Sequence, residues 1–120
     1  MSHEARPDIA ALLRERYPDM PALLAAIRAR PGMFLGRPTV SGLHLLLSGI
    51  GFAEDYHGLP AGAGIGGFDD EGFERWVGER HNPGRLSLRS FGLAAMLVES
   101  EEAGLALWFR WYDEFAPAAR

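Results

Sequence analysis

Residues 27–36 constrain the fold of this chain more than any other segment, because they combine the end of a helix with a compact turn. Arg28 and Arg30 fall in the last turn of a predicted helix, where positive charge complements the negative end of the helix macrodipole. Pro31 and Gly32 come next, and this pair is typical of a helix stop. The residues assigned to this structural turn are Arg28, Arg30, Pro31, Gly32, Met33, Phe34 and Gly36.

The three residues that end the turn before Gly36 are bulky and apolar, so they are predicted to fold back against the protein body. Gly32 and Gly36 are expected to adopt backbone conformations that residues with a Cβ atom avoid. The two arginines leave an alternative open, in which they contact a ligand or a partner.

Several side chains can accept a hydrogen bond from a backbone N–H in the first turn of a helix. Each of them is followed by apolar residues at helical spacing. They predict six helices, which begin at Asp8, Asp19, Thr39 or Ser41, Asp69 or Asp70, Ser90 and Ser100. The chain is therefore predicted to be all-α and mostly helical. It is expected to form one compact domain of residues 1–120, a bundle of about five or six helices, with residues 1–7 as a loose lead.

The third predicted helix, which ends near His57, carries apolar residues around most of its circumference. Such a helix is typical of a buried position, so we predict that it is the central helix of the bundle. An alternative remains open near the C-terminus, because short apolar runs do not separate helix from strand. Residues 94–100 and 104–111 could instead form a β-hairpin around Glu101 and Glu102.

Residues 58–67 are rich in glycine and are predicted to form a flexible internal loop. Gly62, Gly64 and Gly67 satisfy the G-x-G-x-x-G pattern of dinucleotide-binding loops. That loop must follow a strand and open a helix whose N-terminus accepts phosphate, whereas here a helix precedes it and acidic residues follow. A mobile linker is therefore the preferred interpretation.

The composition excludes several classes of site. The chain has no cysteine, which excludes disulfides and zinc-thiolate sites, and its four histidines are scattered, so neither a metal site nor another cofactor is predicted. The formal charge of −4 argues against nucleic-acid binding, since contacts to phosphate need positive charge. No secretory signal or apolar run of membrane-spanning length is present, so a cytoplasmic location and no membrane partner are expected.

The acidic residues are clustered, and a clustered acidic face can bind a basic protein. Solvated helix ends are the other interpretation of these clusters. The C-terminal helix has more large apolar groups than one buried stripe needs, so Trp111 is expected to reach the surface as a contact residue. The predicted partner contacts are Asp69, Asp70, Glu71, Glu99, Glu101, Glu102 and Trp111.

The turn of residues 27–36, followed by residues 42–44, resembles the start of the ATPase domain of type II topoisomerases and related ATP-binding proteins. In that domain a glutamate activates water, and an asparagine four residues later holds the magnesium ion. Alignment without a gap places Gly49 and Ala53 at these two positions. Neither residue supplies a general base or a metal ligand, so the resemblance does not imply ATP hydrolysis.

A second resemblance covers nearly the whole chain. The same turn, an apolar helix over residues 41–56, a Phe-x-x-Trp segment at residues 73–76 and an aromatic, acidic C-terminal helix are similar to a group of small bacterial proteins. Members of this group often occur in polymorphic-toxin gene clusters, which implies an immunity role.

These observations lead to one functional hypothesis and its alternatives. We expect a non-catalytic protein-binding module that neutralises a cognate bacterial toxin by covering the active site of the toxin. The alternatives are a divergent nucleotide-binding domain related to topoisomerase ATPases and a decoy that docks on a topoisomerase. No residue of the chain is assigned a catalytic role.

Overall fold

A computed structural model describes residues 8–60 and 63–118, with side chains described up to residue 116. The predicted loose lead of residues 1–7 and the glycine at position 62 lie outside the described residues. Within the described ranges the fold is an all-α, single-domain bundle without strands. Its helices are α1 (Ile9–Arg16), α2 (Met20–Ala29), α3 (Pro31–Leu35), α4 (Val40–Tyr56), α5 (Asp70–His81), α6 (Ser90–Leu97) and α7 (Glu101–Ala118).

Five helices begin where the sequence predicts, because a side-chain oxygen accepts a hydrogen bond from the backbone N–H three residues later. These capping residues are Asp8, Asp19, Thr39, Asp69 and Ser100. The predicted cap at Ser90 is wrong. Ser90 is the first residue of α6, Arg89 holds the cap position, and the Ser90 hydroxyl bonds to other helices instead.

The turn after α2 is itself a short helix, α3, which begins at Pro31 and ends at Gly36. Gly36 has φ of +76°, as predicted for a residue that terminates a helix in a conformation suited to glycine. The same prediction for Gly32 is wrong, since Gly32 lies within α3 and does not have a positive φ. Helical winding also turns Met33 outward, so its side chain is 64% exposed, while Phe34 packs against the core.

The centre of the bundle is α7, and the prediction that the third helix would be central is wrong. Trp108 of α7 is fully buried, and its ring stacks on Phe91 of α6 at 5.4 Å between centroids. In contrast, only Val40 and Leu43 of α4 are buried, while Leu46, Leu47 and Ile50 pack against the core and are only partly buried. The residues of α7 that fill the core are Leu105, Trp108, Phe109 and Trp111.

The alternative of a β-hairpin near the C-terminus is also wrong. Residues 94–97 complete α6, and the segment from Glu101 onward is the continuous helix α7. The two helices pack closely at Gly104, where an added Cβ atom would lie 3.0 Å from Val40 Cγ1 and 3.4 Å from the Ala94 carbonyl oxygen. Helical packing buries Trp108, Phe109 and Trp111, which the hairpin alternative placed in a strand.

The glycine-rich segment is not a free linker over its described residues 63–67. The Gly66 carbonyl accepts a hydrogen bond of 2.7 Å from the Met20 N–H at the start of α2. The Ile65 N–H donates to the Glu54 carboxylate of α4 at 2.8 Å. These bonds attach the segment to α2 and α4, and they position the start of α5 beside α6.

Candidate protein-binding surface

The predicted acidic contacts lie at the two ends of α6. Asp70, in the first turn of α5, forms an ion pair of 3.3 Å with Arg89, the residue that precedes α6. Glu99 and Glu102 flank the start of α7, directly after α6 ends. Because α6 has eight residues, the two clusters are separated by roughly the 12 Å length of this helix.

Four of the predicted acids are exposed and cap no helix: Asp70, Glu71, Glu99 and Glu102, of which Asp70 is engaged in the ion pair with Arg89. Two others have structural roles. Asp69 accepts from the Gly72 N–H at 2.9 Å and thereby caps α5. Glu101 accepts from both the N–H and the hydroxyl of Ser41, at 3.0 and 2.8 Å, and so ties α7 to the start of α4. These two carboxylates are less available to a partner than the other four.

The expectation that Trp111 reaches the surface is wrong. Its side chain is only 2% exposed, and its ring stacks on His81 of α5 at 4.9 Å between centroids with an angle of 20°. The aromatic side chains of α7 are buried on more than one face because other helices, among them α4, α5 and α6, pack on several sides of α7. Trp111 is therefore a core residue.

Exposed apolar side chains lie at the same ends of α6 as the acids, and their sequence pattern does not distinguish them from core residues. Leu88 precedes α6, and Met96 and Leu97 end it, and all three are exposed. Protein interfaces combine apolar contacts with polar, solvent-accessible groups. We call Asp70, Glu71, Glu99, Glu102, Leu88, Met96 and Leu97 the α6 surface. Met96 and Leu97 differ from the buried apolar residues of α6 only in their exposure, since the sequence pattern is the same for both.

Arg28 of the predicted turn forms a tie between helices. Its two terminal nitrogens donate to the two Asp113 carboxylate oxygens at 2.6 and 2.7 Å, and its guanidinium lies 5.2 Å from the centre of the Phe109 ring. The hydrogen-bonded Arg28 guanidinium lowers the pKa of the Asp113 carboxyl from its ordinary value. This arrangement supports a scaffold role for Arg28, whereas Arg30 is exposed.

An open cleft of about 430 Å³ lies between α4, the start of α2 and the starts of α5 and α6. His44 in its wall stacks on Phe91 at 4.7 Å, and Glu54 in the same wall is hydrogen-bonded to the Ile65 N–H. His44 and Glu54 thus contact neighbouring elements of the fold. Gly49 and Ala53, aligned with the ATPase catalytic positions, are exposed and do not line this cleft.

Among the described residues, no cluster of three or more His, Asp or Glu side chains could hold a metal ion. No helix in the described part of the chain is both long and apolar enough to cross a membrane. Comparison of the chain with protein-family models, with curated proteins and with solved structures found no match.

Proposed function

We propose that this protein is a non-catalytic immunity protein that binds a cognate bacterial toxin in the cytoplasm and covers its active site. One observation carries the proposal: exposed carboxylates lie at both ends of α6, and exposed apolar side chains lie at the same ends. The resemblance to proteins of polymorphic-toxin loci supplies the biological context. Neither a cofactor nor turnover is part of the mechanism.

The two kinds of side chain have different roles in the proposed complex. The exposed acids attract a basic toxin surface over distances set by the Debye length, about 8 Å at physiological ionic strength. Such attraction raises the association rate and sets the orientation of the partner. Met96 and Leu97 then exclude water on contact and supply apolar burial. The acids therefore govern the association rate, and the apolar residues govern dissociation.

The test is charge reversal on both sides of α6. The variant Asp70→Lys/Glu102→Lys removes one carboxylate from each end, and the matched control Glu15→Lys/Glu79→Lys makes the same charge change at exposed positions on α1 and α5. Each variant is co-expressed with a toxin domain encoded beside its gene. Wild type and the control should rescue growth, and the α6 variant should rescue less.

Association rates measured against ionic strength provide the second readout. At low salt the α6 variant should associate at least about tenfold more slowly than the control, and the difference should shrink as salt rises. Both variants should keep the wild-type melting temperature, since exposed charges contribute little to folding. Equal rescue and equal rates for the two variants would refute the α6 surface as the contact face.

A nucleotide titration tests the enzyme alternative directly. We expect no magnesium-dependent binding of ATP and no ATP hydrolysis, since Gly49 and Ala53 lack the required groups. Isothermal titration of the purified protein with ATP and magnesium measures this. A saturable, magnesium-dependent isotherm would overturn the non-catalytic proposal.

A further inference from the structure

The open cleft of about 430 Å³ between α4 and the starts of α2, α5 and α6 combines apolar walls with charged side chains. Ile50, Ile65 and Phe68 are among the half-buried apolar residues of its walls. Ligand-binding clefts have volumes of roughly 300–1,000 Å³ and mostly apolar walls with a few polar groups. The cleft therefore has the size and the lining to enclose a side chain of another molecule.

One aromatic ring in the wall of the cleft is packed against the aromatic core. The Phe68 ring lies 5.5, 6.5 and 5.6 Å from the rings of Phe73, Trp108 and Tyr112, measured between centroids. These contacts fix the position of Phe68, which is half-buried and lines the cleft. Aromatic rings attract cations, and the planar guanidinium group of arginine stacks on them.

The cleft also contains a half-buried carboxylate without a counterion. Glu54 Oε2 accepts a hydrogen bond of 2.8 Å from the Ile65 N–H, whereas Oε1 accepts none from the residues that the structure describes. Glu54 forms no ion pair with any of those residues either. Because a partly buried charge without a partner is unfavourable, a cation that enters the cleft gains free energy by pairing with Glu54.

Arg89 also lines the cleft, but its positive charge is already balanced by two acids. Its guanidinium lies 3.3 Å from Asp70 Oδ2 and 3.8 Å from Glu74 Oε1. Asp70 and Arg89 thus neutralise each other in the wall of the cleft. Glu54 supplies the excess negative charge, so the cleft favours a positively charged occupant.

The cleft lies next to the α6 surface. Asp70 belongs to both, and Arg89 of the cleft wall follows Leu88 of the α6 surface in the chain. A basic protein that covers the α6 surface therefore brings its own side chains to the cleft. Arginine combines an apolar stem with a charged end, which matches apolar walls that surround one carboxylate.

We propose that the cleft receives an arginine side chain of the toxin, which packs against the apolar walls that include Phe68 and pairs its charge with Glu54. This inference rests on the proposed toxin complex and adds the residue type that the toxin inserts. Glu54 and Ser48 line the cleft but lie outside the α6 surface. Their variants therefore test the cleft separately from Asp70 and Glu102, whose variants test the toxin complex.

The first experiment uses a small probe and needs no toxin. Nα-acetyl-arginine methylamide is titrated into the protein while NMR follows the Ile65 N–H and the His44 ring, and Nα-acetyl-citrulline methylamide serves as the uncharged control of similar shape. The arginine probe should shift both signals saturably and bind at least about tenfold more tightly than the citrulline probe. Glu54→Gln keeps an oxygen for the Ile65 N–H and should abolish this preference. Glu79→Gln makes the same change at an exposed position of α5 and should retain it.

The second experiment blocks the cleft in the toxin complex. Ser48 is exposed and lines the cleft, so Ser48→Trp fills it without replacing a core residue. Ala53→Trp adds the same side chain to α4 at an exposed position outside the cleft. Ser48→Trp and Glu54→Gln should each weaken toxin binding at least about tenfold, whereas Ala53→Trp should bind like wild type. All three variants should keep the wild-type melting temperature.

The contrary results separate the cleft from the toxin complex. Equal binding of the two probes, or no saturable shift at Ile65, would overturn the cleft as a site for a cationic side chain. Toxin binding that is unchanged in Ser48→Trp and Glu54→Gln but lost in Asp70→Lys/Glu102→Lys would refute the inserted arginine and leave the toxin complex standing. Wild type that binds the arginine probe but no toxin would refute the proposed function and restrict the cleft to free small cations.

Discussion

Two pairs of serine and glutamate in this protein make the same hydrogen bonds and differ mainly in burial. Glu74 accepts from the N–H and the hydroxyl of Ser90 at 2.7 and 2.6 Å, and Ser90 is 1% exposed. Glu101 accepts from the N–H and the hydroxyl of Ser41 in the same way, but at the surface. The buried pair has one additional hydrogen bond, in which the Ser90 hydroxyl accepts from the Trp108 ring N–H at 2.9 Å.

The buried serine should therefore contribute more to stability than the exposed one. Ser90→Ala should lower the free energy of unfolding by about 1–3 kcal/mol, since it leaves the buried Trp108 N–H without a partner. Ser41→Ala should cost less than about 1 kcal/mol, because water replaces the lost bond. Urea unfolding followed by tryptophan fluorescence measures both. Equal losses for the two variants would contradict the assigned role of Ser90.

At the level of elements, close approach of backbones decides which helix is central. Gly104 of α7 lies where α4 and α6 meet α7, and it is buried. Gly78 of α5 is a glycine in an exposed helical position, and a Cβ atom there would contact nothing within 4 Å. Both positions are glycine, but Gly104 is enclosed by other helices whereas Gly78 faces open space.

We expect alanine to act in opposite directions at these two glycines. Gly104→Ala should destabilise the fold by about 1–3 kcal/mol, because the new methyl group forces α7 away from Val40 and the Ala94 carbonyl. Gly78→Ala should stabilise it by about 0.5–1 kcal/mol through improved helix propensity. Thermal and urea denaturation of the two variants provide the measurement. Stabilisation by Gly104→Ala would mean that the helices do not pack at this distance.

At the level of the whole molecule, Arg28 and Asp113 join α2 to α7 across 85 residues of sequence. Arg28 lowers the pKa of Asp113 in the folded state, so the pair stabilises the fold above the ordinary Asp pKa of about 3.9. This stability is lost as the pH falls through the lowered folded pKa, because Asp113 then becomes protonated. Both side chains are about half exposed, at 49% and 48%, so solvent screening keeps the contribution small.

Asp113→Asn should therefore lower the free energy of unfolding by no more than about 1 kcal/mol at neutral pH. The difference from wild type should shrink with added salt and disappear at a pH below the lowered Asp113 pKa. Urea unfolding of both proteins across the acid range measures it. A difference that persists unchanged at the lowest pH would show that the ion pair is not its source.

The helix boundaries could be predicted from the sequence because helix capping is local. The side chains of Asp19, Thr39 and Ser100 reach backbone groups only three residues away, so residue type and position suffice. The positive φ of Gly36 was predicted from its place at the end of the turn, whereas the short helix α3 within that turn was not predicted. The placement of Asp70 and Glu102 at the surface was also predicted, as acids at helix starts.

Only the tertiary structure decided which apolar and polar groups are covered. Trp111 and Tyr56 both lie in aromatic helices, yet the former is 2% and the latter 76% exposed, since His81 of α5 stacks on Trp111, whereas the rings beside Tyr56 are those of its chain neighbours Phe52 and His57. Likewise, serine is a common N-cap residue, but Ser90 does not cap α6. Its hydroxyl donates to Glu74 of α5 and accepts from Trp108 of α7. Burial and hydrogen-bond partners depend on residues far apart in the chain, and the order of residues within one helix does not contain that information.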